Sequence, residues 1–307
     1  MIQTCARSSH VLFVMLCALL IFNSTSTLAQ SQDQGLFLTR HQSMSERWEL
    51  SHKYHRGVFT VTPYKPVFVT AGRRSDKPNT RPFSENPLYS QPDEIDYNNY
   101  EAKFQFSLKT KVIYGMFGGR ADLWIGYTQK AHWQIYNSNL SRPFRELNYE
   151  PEVILNVPLK ARVFGFDLRM AGLIFNHQSN GRSLPLSRSW NRVIAHIGLE
   201  KKTIQIMLRG WYRLEDEDDE NPLITDYIGR GEGVFVYNLK RHQFSVVATS
   251  ALRLSKPGRG SLQLNYSLPI INNFRLQAQF ITGYGETLID YNHAQTSFGI
   301  SVSLIEW

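Results

Sequence analysis

The sequence predicts an all-β protein, a 12-stranded antiparallel transmembrane β-barrel. Three observations point there. Apolar and polar residues alternate in short runs separated by turn residues, the period-two signature of strands with one apolar face. After residue 30 no apolar run approaches the ~20 residues that a membrane helix needs, and the mean hydropathy is −0.32. The chain also opens with a segment that reads as a secretory signal and closes an alternating run on the aromatic Trp307. A barrel hides its lipid-facing residues in every second position, so bland hydropathy and a membrane location are compatible.

Residues 1–29 carry Arg7 and His10, an apolar core from Val11 to Phe22, and Thr27-Leu28-Ala29 before a cleavage point, the layout of a signal peptide. Both cysteines, Cys5 and Cys17, fall inside it, so the mature chain is expected to hold neither disulfide nor thiol chemistry. The net charge of +8 drops to +7 with the loss of Arg7. No basic helix, zinc spacing or aromatic-basic platform accompanies that charge, so nucleic acid is not the expected partner; anionic lipid at the barrel rim is. Residues 30–56 are polar and irregular, and read as a periplasmic segment packed against or plugging the barrel.

The barrel occupies 57–307. Strands are expected near 58–71, 98–113, 120–136, 145–158, 162–179, 187–200, 202–214, 224–238, 241–254, 258–269, 272–284 and 294–305, an even number as a bacterial barrel requires. Leu262, Leu264, Tyr266 and Leu268 oppose Gln263, Asn265 and Ser267; Phe298, Ile300, Val302 and Leu304 oppose Gly299, Ser301 and Ser303. The second face is too polar to be half of a sandwich core, and fits a hydrogen-bonded lumen. An aromatic content of 13% suits interfacial girdles. One apolar row, Leu123, Ile125, Tyr127, Ala131 and Trp133, is interrupted by Gln129. A lipid-facing amide is costly, so either the parity slips at Gln129 or it meets another protein surface.

The chemistry is concentrated in residues 176–192, NHQSNGRSLPLSRSWNR. His177 and Ser179 share a strand face with Ala171, Leu173 and Phe175. After a loop whose tip lies near Leu184 and Pro185, Asn191, Val193, Ala195, Ile197 and Leu199 resume an apolar row. A simple hairpin register sets His177 opposite Asn191 and Phe175 opposite Val193, where directly opposed residues lie ~5 Å apart. An imidazole activates a serine hydroxyl by taking its proton, and an amide oxygen can fix the ring's tautomer. His-x-Ser alone means little: His41-Gln42-Ser43 repeats it with no function attached. The hairpin geometry is what lends the second copy weight. The row is the apolar one, so the site would lie on the outer wall, where an ester could be reached without leaving the bilayer.

This stretch resembles the catalytic segment of the outer membrane phospholipase A family, whose pattern is Asn-His-x-Ser-Asn-Gly-Arg-Ser, a short linker, then Ser-Arg-Ser-Trp-Asn-Arg. The similarity runs from about Tyr97 to the C-terminus and includes EAKFQFSLK (101–109), GYTQK (126–130), PFRELNYEP (143–151), DENPLITDY (219–227) and GYGETLIDYN (283–292). The resemblance implies an outer membrane hydrolase of phospholipid and lysophospholipid acyl esters at both glycerol positions. In it His177 is the base, Ser179 the nucleophile and Asn191 the orienting residue. It further implies an oxyanion donor at the Gly181 N–H and Ca2+ as cofactor. Calcium would be held by the Arg182 carbonyl, the Ser187 hydroxyl and Ser141 of the other subunit of an active homodimer whose interface includes Gln129. Glu220, just before Asn-Pro, matches a further calcium position of the family. Leu184 departs from the family, which commonly carries an acid there, and puts a separate monomer calcium site in doubt. Gln178 likewise stands where an acid is frequent, but points away from the catalytic row.

Two competing readings remain. A non-catalytic porin-like barrel would use the polar lumen as a channel; a barrel enzyme acting on lipid A or peptide would use the same rim differently. No paired-carboxylate site near the rim favours a protease.

Overall fold

The structure, a computed structural model, describes residues 41–252, 259–271 and 273–307. The signal segment and both cysteines lie outside them. The strands are β1 Val61–Pro63, β2 Val67–Ser75, β3 Tyr100–Gly115, β4 Ala121–Trp133, β5 Phe144–Val163, β6 Phe166–Ser179, β7 Ser189–Lys201, β8 Ile204–Leu214, β9 Gly231–Leu239, β10 His242–Ser250, β11 Gly260–Ile271, β12 Phe274–Tyr284 and β13 Ala294–Ile305. Each pairs antiparallel with the next from β2 to β13, and β13 returns to β2, closing a 12-stranded barrel. β1 is a separate piece of the first strand: both it and β2 pair with β3. Pro63 and Pro66 explain the break, since neither can donate to a ladder. The connections 116–120, 164–165, 202–203 and 240–241 are tight, and all lie at one end. Those at the other end, 76–99, 134–143, 180–188, 215–230 and 285–293, are long. Short turns on one rim and long loops on the other are the habit of outer-membrane barrels.

Burial confirms the inside-out patterning. Phe298 and Ile300 are each 51% exposed, whereas Ser301 and Ser303, at the alternate positions that follow, are 1% and 0% exposed. In water this would be inverted; in a bilayer the exposed row meets hydrocarbon and the serines line the lumen. β4 pairs with β5 without interruption from Asp122 to His132, so no parity slip occurs at Gln129 and its side chain belongs to the outer row.

The lumen is filled rather than open. Glu101 accepts hydrogen bonds from Arg73 Nη1 (2.8 Å) and Arg145 Nε (2.8 Å) and meets His132 Nδ1 at 2.7 Å. Arg145 also donates to Asp290 (2.9 Å), and Lys103 to Glu286 (3.1 Å), tying the 285–293 loop to the wall. At the turn end, residues 43–56 enter the barrel. Ser43 caps a helical turn, Met44–Arg47, with Glu46 completing a capping box. Met44 and Trp48 then pack on Tyr64, Trp124, Ile154, Met170, Ile174 and Ile194, an apolar patch on the inner wall. The Met44 N–H donates to Glu200 (2.9 Å), Arg47 to the Tyr64 carbonyl (2.9 Å), and Lys109 to the Arg47 carbonyl (2.7 Å). The inward apolar residues thus receive a plug from residues 43–56, the rest of the 30–56 stretch lying largely outside the described residues.

One expected strand differs at its start. Residues 224–238 begin with a helical turn, Ile224–Tyr227, and only β9 from Gly231 is strand. Ile224, Tyr227 and Ile228 recur at helical spacing, and Ile224 packs with Trp190, Leu288 and Tyr291 beneath the loops. The other expected strands shift by a few residues at their ends, and the ends predicted at 254 and 258 and the start at 272 lie outside the described residues.

Two outcomes follow. Trp48→Ala opens a void in the plug and is expected to cost about 3–5 kcal/mol, read as a lower melting point of the detergent-solubilised barrel by cold-versus-heated gel mobility; a wild-type midpoint would show that the plug carries no stability. Burial alone would raise the Asp290 and Glu286 carboxyls, but Arg145 holds the first, and Arg73 with Lys103 the second, below the ordinary carboxylate range. Groups lowered on folding add stability above their unfolded values, and that stability is lost as pH falls through the folded ones. Unfolding free energy is therefore expected to decline below about pH 4, with a shallower decline in Asp290→Asn.

Candidate functional site

The β6–β7 hairpin pairs His177 with Asn191, Phe175 with Val193, Gln178 with Trp190 and Ser179 with Ser189. Strand alternation then sorts these residues. Leu173 (47% exposed) and Phe175 (60% exposed) face outward in the row that leads to His177, and Tyr212 (67% exposed) flanks Val193 from β8. His177 is exposed and Ser179 and Asn191 are half-buried on this wall. His177 Nδ1 lies 2.8 Å from Asn191 Oδ1. The amide oxygen can only accept, so the contact assigns the proton to Nδ1 and leaves Nε2 free to act as base. Ser179 follows two residues along the same face; among the described residues no hydrogen bond joins its hydroxyl to the ring.

The loop after Ser179 is shaped from within. Asn180, 2% exposed, is its hub. Its Oδ1 accepts from the N–H groups of Arg188 (3.0 Å) and Arg182 (3.3 Å), and its Nδ2 donates to the Leu186 carbonyl (2.8 Å) and to Glu146 (3.3 Å). Gly181 sits at φ +62°, and a Cβ there would approach the Tyr149 ring to 3.2 Å, so glycine suits the position on both counts. The Arg182 guanidinium turns back to the Arg145 carbonyl (2.6 Å), leaving its own backbone to the loop.

Of the candidate calcium residues, the fold joins two. Ser187 Oγ donates to Glu220 Oε1 at 2.5 Å. Glu220 Oε2 is buried with no hydrogen-bond partner among the described residues. An unpaired buried carboxylate oxygen beside a hydroxyl is the kind of donor set a hard cation takes. No cluster of three His, Cys, Asp or Glu side chains suited to a metal occurs among the described residues, so such a site is poor in charge. Ser141, exposed at φ +58°, lies in the 134–143 loop and makes no side-chain contact with this pair among the described residues. Gln129 is half-buried on the outer wall, its Oε1 accepting from Tyr127 (3.3 Å).

Sequence reasoning passed over the residues behind the row. Asn176, Trp190 and Arg192 alternate with His177 and Asn191, so they face the lumen, and Arg192 is 7% exposed there. Their signal was parity: polar and charged residues at buried strand positions flanking the candidate pair.

The comparisons agree with this architecture. The sequence profile of the family described as Phospholipase A1 matches residues 44–304. A phospholipase A1 of Escherichia coli is 36% identical over 250 residues, which span 81% of this chain and 83% of the relative. One from Klebsiella pneumoniae is 38% identical over 250 residues, 81% and 84% of the two chains. The solved outer membrane phospholipase A of E. coli superposes with a TM-score of 0.72 at 34% identity, covering 80% of this chain and 94% of that one. A Salmonella typhi outer membrane phospholipase dimer with bound calcium gives a TM-score of 0.73 at 34% identity, covering 84% and 95%. With its profile, its barrel and its relatives in accord, the chain belongs to the phospholipase A1 family.

Proposed function

We propose that this protein is a calcium-dependent phospholipase of the bacterial outer membrane, hydrolysing acyl esters at either glycerol position and of lysophospholipids, and active as a homodimer. The observation that carries the reading is the 2.8 Å contact of His177 with Asn191 on the hydrocarbon-facing wall, with Ser179 two residues on. Ser179 Oγ attacks the ester carbonyl while His177 Nε2 takes its proton. The Gly181 N–H faces the charge that develops on the carbonyl oxygen. His177 then returns the proton to the departing alcohol, and water repeats the cycle on the acyl-serine. Asn191 holds the Nδ1 proton throughout; being neutral, it orients the ring but stabilises the imidazolium less than a carboxylate would. Catalytic hydrogen bonds commonly tighten only with substrate bound, which accommodates the lack of a Ser179–His177 hydrogen bond among the described residues.

The residues available to hold calcium are Ser187, the Arg182 carbonyl and Glu220, with Ser141 from a second copy. Bound there, calcium would supply positive charge beside the oxyanion. One carboxylate makes for weak affinity, so a partner subunit that completes the shell would couple dimerisation to activity. Gln129 supports the dimer, since an outward amide is relieved by a partner barrel beside it in the membrane. The filled lumen and its plug argue against the porin reading.

In detergent-dispersed phospholipid, fatty acid release is expected from wild type with calcium and not with EDTA, and Ser179→Ala should lower turnover by at least about 10³-fold. Release by Ser179→Ala at the wild-type rate would remove the serine from the mechanism. Ser187→Ala is expected to raise the calcium concentration for half-maximal rate, and Gln129→Leu to weaken calcium-dependent dimerisation measured by sedimentation; no change in either would detach those residues from the metal and the interface.

A further inference from the structure

On the luminal side of the β6–β7 hairpin, the two registers that flank His177 and Asn191 are both locked by side chains. Above, Arg192 donates to Asn176 Oδ1 through Nε (3.0 Å) and Nη2 (2.6 Å). Below, Trp190 Nε1 donates to Gln178 Oε1 (2.9 Å). Arg192 links the two, with Nη2 3.2 Å from Gln178 Oε1 and its guanidinium 3.9 Å from the Trp190 ring centroid. It also anchors the pair to β5 through Glu150 Oε1 (3.2 Å), which accepts from Asn176 as well (3.0 Å). Strand ends next to a loop fray, and a one-residue slip turns every side chain to the other face. Here three successive cross-strand pairs, 176 with 192, 177 with 191 and 178 with 190, carry side-chain contacts on alternating faces.

We propose that Arg192 is a positioning residue for the His177–Asn191 pair, acting through this clamp from the opposite side of the barrel wall. The inference rests on the catalytic reading of Ser179 and His177 and deepens it. Arg192 touches neither substrate nor reacting atoms. It fixes the separation and register of the two strand ends whose outward side chains must hold a 2.8 Å contact, and Gln178, where an acid would pair with the guanidinium by charge, serves instead as a neutral bridge between Arg192 and Trp190.

The test is a double-mutant cycle read by the rate at which a lipophilic sulfonyl fluoride sulfonylates Ser179 with loss of fluoride, in refolded full-length protein with calcium, alongside kcat and KM on a thioester phospholipid analogue. Arg192→Met is expected to slow sulfonylation and kcat by about 10-fold or more, since small misplacements of catalytic groups are costly, with KM unchanged. In an Asn191→Ala background the same substitution should slow sulfonylation by no more than about 2-fold, because the geometry it protects is already lost. Arg192→Lys, which keeps the charge without the planar fork, should behave as Arg192→Met. Should Arg192→Met not reach the folded, heat-modifiable form, Gln178→Leu carries the same pair of expectations. Equal losses in both backgrounds, or none, would overturn the proposal while leaving the enzyme reading standing. A wild-type protein not sulfonylated at Ser179 would overturn both.

Discussion

The pairing of β6 with β7 is the constraint on which the rest of the molecule depends. It sets His177 against Asn191 with a 2.8 Å contact and delivers Ser179 to the same face. It also decides which side of the wall that face is. Because the side-chain period of a strand is two, the register that turns these residues to the hydrocarbon turns Asn176, Gln178, Trp190 and Arg192 into the lumen. The candidate site outside and its proposed support inside are therefore consequences of one alignment.

That division explains why so polar an interior is stable. A barrel in lipid satisfies every backbone group by closure, which frees the lumen to be built from charge. Glu101, held by Arg73, Arg145 and His132, and Asp290, held by Arg145, are buried among their partners. Removing one member of such a network costs more than the network contributes, because it strands the others. The result is a rigid wall against which an outward site can be held. The plug built on Met44 and Trp48 extends the same logic to the turn end, with the aromatic faces of Trp48 and Trp124 at 4.9 and 5.1 Å from the Lys109 ammonium. The long loops close the other rim through Asn180, Glu146 and the 285–293 segment.

The proposed metal site inherits its weakness from the same loops. Ser187 and Glu220, 33 residues apart in sequence, come from different connections, and one Glu220 carboxylate oxygen is without a partner among the described residues. A site so poor in charge within one chain gives a second chain something to supply. In that reading the enzyme is limited by assembly rather than by its serine and histidine, which stand on a preformed hairpin. A lipase resident in a membrane of its own substrate gains control from that arrangement.

The strand alternation, the twelve strands and the outward row were legible in the residues because successive side chains of a strand point to opposite faces, and a bilayer barrel makes one face apolar and the other polar along every strand. The His177–Asn191 pairing was legible for the same reason, since the apolar rows on either side of the loop admit one simple register. Family membership was legible in the spacing of NHQSNGRS and SRSWNR. Tertiary structure alone decided the rest. It turned 224–227 into helix, because Ile224 had a pocket among Trp190, Leu288 and Tyr291 to fill. It drew Met44 and Trp48 into the lumen, brought Glu220 to Ser187, and gathered Arg192, Gln178 and Glu150 behind the row of His177 and Asn191. These are contacts between residues distant in sequence, and their partners are chosen by barrel closure and by the volume left inside it, neither of which any local pattern of residues encodes.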